Sequence, residues 1–143
     1  MPRTRSRKWQ ESVTWKAFAD YIKMRDAIRT TGTLAEVHCM YCGRRHYRAE
    51  SQAGHMISRT YGNALYNPKV VFASCSNCNL YREGNHVSGY LNLVEMVGPK
   101  QASSIVIDAM KPKPYTMEEL EDIEEGCLAA VEIMESYYEA HAR

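Results

Sequence analysis

Two cysteine pairs, Cys39-Met40-Tyr41-Cys42 and Cys75-Ser76-Asn77-Cys78, are the groups in this 143-residue chain best suited to binding a metal. Four thiolates in two C-x-x-C knuckles form the ligand set of one tetrahedral structural zinc. Gln52-Ala53-Gly54-His55 lies between the knuckles, and the second pair runs directly into Asn79. A structural zinc needs neither the histidine nor the asparagine. A strand histidine can take a proton from water while a residue opening a helix holds a divalent ion against a phosphate. A lone His is more often a surface or packing residue and a lone Asn a helix cap, but at these offsets from a knuckle pair they point to metal-assisted hydrolysis on a zinc-stapled finger.

These groups have to be positioned by one small domain, since 143 residues bury a single modest core. Five cysteines do not pair evenly, so four metal thiolates plus Cys127 as a small buried apolar residue fit a reducing compartment better than a disulfide framework. No apolar run approaches bilayer length, and the basic stretch Met1 to Lys8 lacks the apolar segment of a secretory signal. The expectation is a cytoplasmic protein with no membrane partner. The net charge of +1 hides an asymmetry: residues 1 to 113 carry 17 Lys and Arg against 8 Asp and Glu, and residues 114 to 143 carry 1 against 9. A basic body suits a polyanion such as nucleic acid, and ordinary solvated charge is the competing explanation.

Along the chain, residues 1–11 read as a basic arm and 12–32 as a helix, with Trp15, Phe18, Ile22 and Ile28 on a core-facing stripe and Gly32 as its stop. Residues 36–98 form the zinc-stapled finger and its following helix, with β-like runs near Gly54 to Ser58 and Val70 to Ala73. The helix starts near Ser76, is disturbed at Gly84-Asn85, and ends before Gly98-Pro99. Residues 99–143 hold C-terminal helices. The last opens on a capping box, Thr116 to Glu119, and carries an apolar stripe of Leu120, Ile123, Cys127, Val131, Met134 and Tyr138. That stripe packs on its own domain or forms a homodimer seam.

The stretch from Trp15 to Gly98 resembles the phage NinG (Rap) recombination protein family, a branch of the HNH endonuclease superfamily. The matching residues are Trp15-Lys16-x-Phe18, Tyr21-Ile22-x-x-Arg25-Asp26-Ala27, Cys39-x-x-Cys42-Gly43, Ala53-Gly54-His55-x-Ile57-x-Arg59, Gly62-Asn63-Ala64-Leu65, Cys75-x-x-Cys78-Asn79 and Glu83-Gly84-Asn85-x-Val87-x-Gly89-Tyr90. The Cys-x-x-Cys-Asn ending is also similar to phage endonuclease VII. The resemblance implies an α+β fold with a zinc-stapled ββα-metal, treble-clef-like finger among α-helices. It also implies Mg²⁺- or Mn²⁺-dependent hydrolysis of DNA phosphodiesters in branched recombination intermediates, in the bacterial host cytoplasm if the chain is phage-encoded. His55 would be the general base and Asn79 a ligand of the catalytic metal, with Arg59 and Arg82 as phosphate contacts.

The chain departs from the superfamily pattern at Gly54, where many relatives carry Asp or His before the base. Glu83, four residues after Asn79, is the expected replacement in the metal shell, with Asn85, Gln52 and His86 behind it. Asn63 or Asn67 is expected to orient His55, since Val70 stands where the pattern has a central Asn. His38 is expected to neighbour the zinc without binding it, and His46 and His141 to face solvent. Arg44, Arg45 and Arg48, with Tyr41, Tyr47, Tyr61 and Tyr66, are candidates for DNA backbone and base contacts, although most of the tyrosines suit packing better. The expected function is a structure-selective DNA endonuclease. The alternatives are a non-catalytic zinc module that binds nucleic acid or protein, and a sequence-specific homing or restriction nuclease.

Overall fold

The computed structural model describes residues 4–81 and 86–141. Among the described residues five helices, α1 (Arg7–Thr31), α2 (Gly62–Leu65), α3 (His86–Val97), α4 (Pro99–Ala109) and α5 (Met117–His141), surround two antiparallel hairpins. β1 (Glu36–His38) pairs with β2 (Arg45–Tyr47), and β3 (Gln52–His55) pairs with β4 (Val71–Ser74). This is the expected α+β class. α1 begins at Arg7, five residues earlier than residue 12, because the Ser6 hydroxyl accepts from the Trp9 N–H at 3.1 Å and caps the first turn. Gly32 ends it at φ 69°, donating its N–H to the Ile28 carbonyl at 2.9 Å. β3 lies two residues before the expected run, with His55 as its last residue.

Phe18 and Ile22 of α1 belong to one buried cluster with Val70, Val71, Leu93 and Ile105, and α1 packs against β1, β3 and β4. The outer edge of β4 is closed by side chain and main chain together. Asp26, 1 % exposed, accepts from the Ala73 N–H at 2.7 Å, while the Ala73 carbonyl takes the Met40 N–H at 3.0 Å. The buried carboxylate is balanced by Arg25 and Arg29, each 2.9 Å from Oδ1, and Arg25 also reaches the carbonyls of Pro68 and Val71.

After Cys75 the chain enters a π-helical turn at Asn77–Tyr81 in place of a regular first helical turn, and α3 runs from His86. α4 continues from it after the Gly98-Pro99 break. The α5 capping box forms as expected: the Glu119 N–H donates to Thr116 Oγ1 at 3.1 Å, and the Thr116 N–H donates to Glu119 Oε1 at 3.2 Å.

α5 lies along α1. Leu120 is buried, and Ile123, Cys127, Val131, Met134 and Tyr138 are half-buried. The interface is partly polar: Thr14 donates to the Leu120 carbonyl at 2.9 Å, Gln10 donates to Glu124 at 2.9 Å, and Arg5 pairs with Glu124 at 2.7 Å. The stripe therefore has a partner within the chain, and a homodimer through α5 would use the other side, where Leu128, Ile133 and Tyr137 lie exposed. Among the described residues no helix is long and apolar enough to cross a membrane.

Candidate functional site

The four cysteines converge. Cys39, Cys42, Cys75 and Cys78 place their Sγ atoms within 4.8 Å of one another, with Cys42 and Cys75 3.7 Å apart. Sulfurs ~2.3 Å from a tetrahedral zinc stand ~3.8 Å apart, so the donor set and its spacing fit one structural Zn²⁺. Gly43 makes the first knuckle possible, turning at φ 77° while its N–H bonds the Cys39 carbonyl at 2.9 Å. Cys39 Sγ accepts from the N–H groups of Tyr41 and Cys42. A zinc held by these four sulfurs would join the β1–β2 turn to the junction after β4.

Two packing contacts extend that staple toward His55. The Tyr41 hydroxyl donates to the Gly54 carbonyl at 2.9 Å, and burial pushes the phenol's pKa far up, so it stays a donor. α3 crosses the Tyr41 ring at Gly89, where an added Cβ would lie 2.6 Å from a ring carbon. His38 turns away from the sulfurs, with Nδ1 on the Gly43 carbonyl at 2.8 Å.

His55 ends β3 opposite Val71, with its ring stacked on Trp15 (centroids 5.1 Å apart, planes at 20°). Its Nε2 lies 3.0 Å from the Leu65 carbonyl, which can only accept, so Nε2 carries the proton and Nδ1 is the basic nitrogen of the neutral ring. Burial lowers the His55 pKa most, the Leu65 carbonyl works in the opposite direction, and the Arg59 charge lowers it further. The orienting group is thus a backbone carbonyl and neither of the expected asparagines. Asn63 is engaged with Asp108 at 2.8 Å, and Asn67 bridges the Asn63 carbonyl and the Lys69 N–H.

A groove of about 660 Å³ opens beside His55, lined also by Trp15, Lys23, Gln52, Arg59, Asn79 and His86. The structure therefore brings His55, Asn79 and Arg59 together as expected, and adds Trp15 and Lys23. Asn79 donates Nδ2 to Gln52 Oε1 at 2.6 Å, which fixes the amide and leaves Oδ1 facing Gly54. His86 donates Nδ1–H to the Met56 carbonyl, which leaves Nε2 with the lone pair of the neutral ring. An amide oxygen and an imidazole nitrogen suit a divalent cation, and the Ser74 hydroxyl beside Asn79 is buried without a hydrogen-bond partner. No carboxylate lines the groove among the described residues. Glu83, Arg82 and Asn85 lie outside the described residues.

Gly54 leaves no room for the side chain that the superfamily pattern puts there, since a Cβ would meet Ser74 Oγ at 2.7 Å and Asn79 Oδ1 at 3.0 Å. The first-hairpin arginines sit away from the groove lining. Arg45 pairs with Glu36, Arg48 bonds the Leu34 carbonyl, and Arg44 is exposed. Tyr41 is buried, Tyr66 packs edge-on against Phe18 and Tyr115, and Tyr47 and Tyr61 are exposed. His46 departs from the solvent-facing expectation, its Nε2 being buried without a partner, whereas His141 is exposed.

Trp15 and the Gln52–Asn79 pair were not singled out for these roles by the sequence. Helical periodicity assigns an aromatic on an apolar stripe to the core, and a hydrogen bond between residues 27 apart leaves no local signature.

A family model described as bacteriophage lambda NinG protein matches residues 3–136. No curated protein and no solved structure matches the chain.

Proposed function

The chain belongs to the bacteriophage lambda NinG family, and from that premise and the groove we propose a metal-dependent, structure-selective DNA endonuclease of the HNH, ββα-metal type. The observation that carries this reading is the state of His55. Burial favours its neutral ring, the Leu65 carbonyl orients that ring through Nε2 and leaves Nδ1 as the basic nitrogen, and His55 lines one groove with Asn79 and Arg59.

In this reading His55 Nδ1 takes the proton of the attacking water as it approaches the scissile phosphorus. Trp15 stacked on the ring restricts its rotation and excludes solvent from one side. Arg59 and Lys23 neutralise the non-bridging phosphate oxygens, Arg59 with the better geometric match. Asn79 would hold a catalytic Mg²⁺ or Mn²⁺ through Oδ1, Gln52 fixes which end of the amide is presented, and Glu83 would add a carboxylate. Such an ion, when bound, supplies Lewis-acid stabilisation of charge developing on the phosphate. Zinc at the four cysteines holds the scaffold and takes no part in the chemistry.

DNA is the partner, with Arg44 and the basic body supplying sequence-independent phosphate contacts. The experiment is digestion of matched linear, forked and four-way DNA with Mg²⁺ or Mn²⁺, comparing native protein with His55→Ala. The variant should keep its zinc and its DNA affinity and cut roughly a hundredfold more slowly. The native rate should rise with pH to a plateau, with its midpoint below the ordinary histidine value, because a depressed pKa leaves the base neutral at lower pH. Equal cutting by His55→Ala would overturn His55 as the general base, and no cutting by the native protein would return the chain to the non-catalytic zinc-module reading.

A further inference from the structure

A second trough, of about 550 Å³, adjoins the His55 groove and shares Trp15 and Arg59 with it. Trp15, Leu65, Tyr66 and Tyr115 form its aromatic and apolar wall, while Arg7, Lys8 and Arg59 line it with positive charge. Arg7 is committed to Glu11 at 2.7 Å and to the Tyr115 carbonyl at 2.6 Å. Among the described residues neither Lys8 nor Arg59 forms an ion pair within the chain, so both are available to a ligand.

We infer that this trough is a binding site for an unpaired nucleobase of the DNA strand whose phosphate lies in the His55 groove. The placement follows from Trp15, which covers His55 on one side and lines the trough as well, so that a strand passing Arg59 reaches both. An aromatic wall bordered by cations matches a nucleotide, whose base presents a π-face and whose phosphate carries the charge. A base inside intact duplex is stacked and paired and cannot enter without flipping, whereas a strand beside a branch point offers bases already freed. The trough thereby makes unpaired DNA the preferred ligand without reading its sequence.

The inference depends on the proposed nuclease reading only for which phosphate lies nearby, and a binding assay tests it without catalysis. The probe is forked DNA with 2-aminopurine at the unpaired position next to the branch, compared with a fully paired duplex of the same sequence. Both are titrated with zinc-loaded His55→Ala protein without added divalent ion. The fork should bind roughly tenfold or more tighter than the duplex, the scale of one stacked base, with its 2-aminopurine emission quenched.

Ser12 lies exposed on α1 at the trough lining, so Ser12→Trp fills the space from the solvent side. This variant should bind fork and duplex equally while retaining zinc and its melting temperature. Lys8→Ala keeps the aromatic wall and should lower the slope of log affinity against log salt by about one. A Ser12→Trp protein that still prefers the fork, or a fork preference without quenching, overturns the assignment. Quenching and fork preference in the His55→Ala protein, beside a native protein that cuts no DNA with Mg²⁺ or Mn²⁺, would sustain the base site and overturn the nuclease reading.

Discussion

Gly54→Ala tests whether the space beside Asn79 is as tight as the structure draws it. The added Cβ would stand 2.7 Å from Ser74 Oγ and 3.0 Å from Asn79 Oδ1, where ordinary contact begins at 3.4 Å. Gly54 is not among the positive-φ glycines, so alanine meets no backbone penalty and the cost is steric. Overpacking of this kind costs about 1–3 kcal/mol, offset by ~0.4–1 kcal/mol from the stiffer unfolded chain. The net loss is roughly 0–2.6 kcal/mol, which lowers Tm by up to about 9 °C for a chain of this length.

Ser74 supplies the control, because its buried hydroxyl has no hydrogen-bond partner and is also the nearest obstacle. Ser74→Ala alone should leave stability unchanged or raise it. In that background Gly54→Ala should cost about 1 kcal/mol less than in the native one, as the 2.7 Å contact no longer exists. The assay is urea unfolding of the four zinc-loaded proteins as a double-mutant cycle. Costs for Gly54→Ala that agree within ~0.3 kcal/mol in both backgrounds would refute the packing argument.

Two further perturbations address the metals. Cys75→Ser should release the zinc and unfold the segment between the hairpins, since zinc binding supplies on the order of 10 kcal/mol of folding free energy in isolated zinc-finger peptides; metal analysis with circular dichroism checks this, and full zinc retention would contradict it. Gln52→Leu removes the acceptor that holds Asn79 and should weaken Mn²⁺ binding, followed by electron paramagnetic resonance, by roughly 10–100-fold, while Gln52→Glu keeps the acceptor and should stay within a few-fold of native.

The sequence made legible those features that rest on short fixed spacings. The four cysteines, His55 on a strand, Asn79 after the last thiolate and the α5 capping box all depend on neighbours within a few residues. Features set by tertiary contact were not legible. Asp26 enters the sequence only as part of the Arg25-Asp26-Ala27 run, and nothing local shows that it is buried and bonded to a strand 47 residues away. The orienting partner of His55 is a main-chain carbonyl, which no residue type encodes. β1 and β2 have three residues each, too few for an alternating pattern to emerge. Arg45 and Arg48 were read from composition as DNA contacts, but their guanidinium groups have partners within the chain.

The pairing of α1 with α5 sets an order on biosynthesis. Gln10 and Thr14 are fully buried, and their hydrogen bonds reach residues 114 and 106 positions later. During translation, then, α1 waits for α5 to be made before its polar contacts with that helix can form. The zinc ligands are all synthesised by Cys78, so the finger can close while α5 is still unmade. A nascent chain paused before residue 117 would hold a metallated finger beside an uncovered α1, the kind of exposed surface that chaperones and proteases recognise.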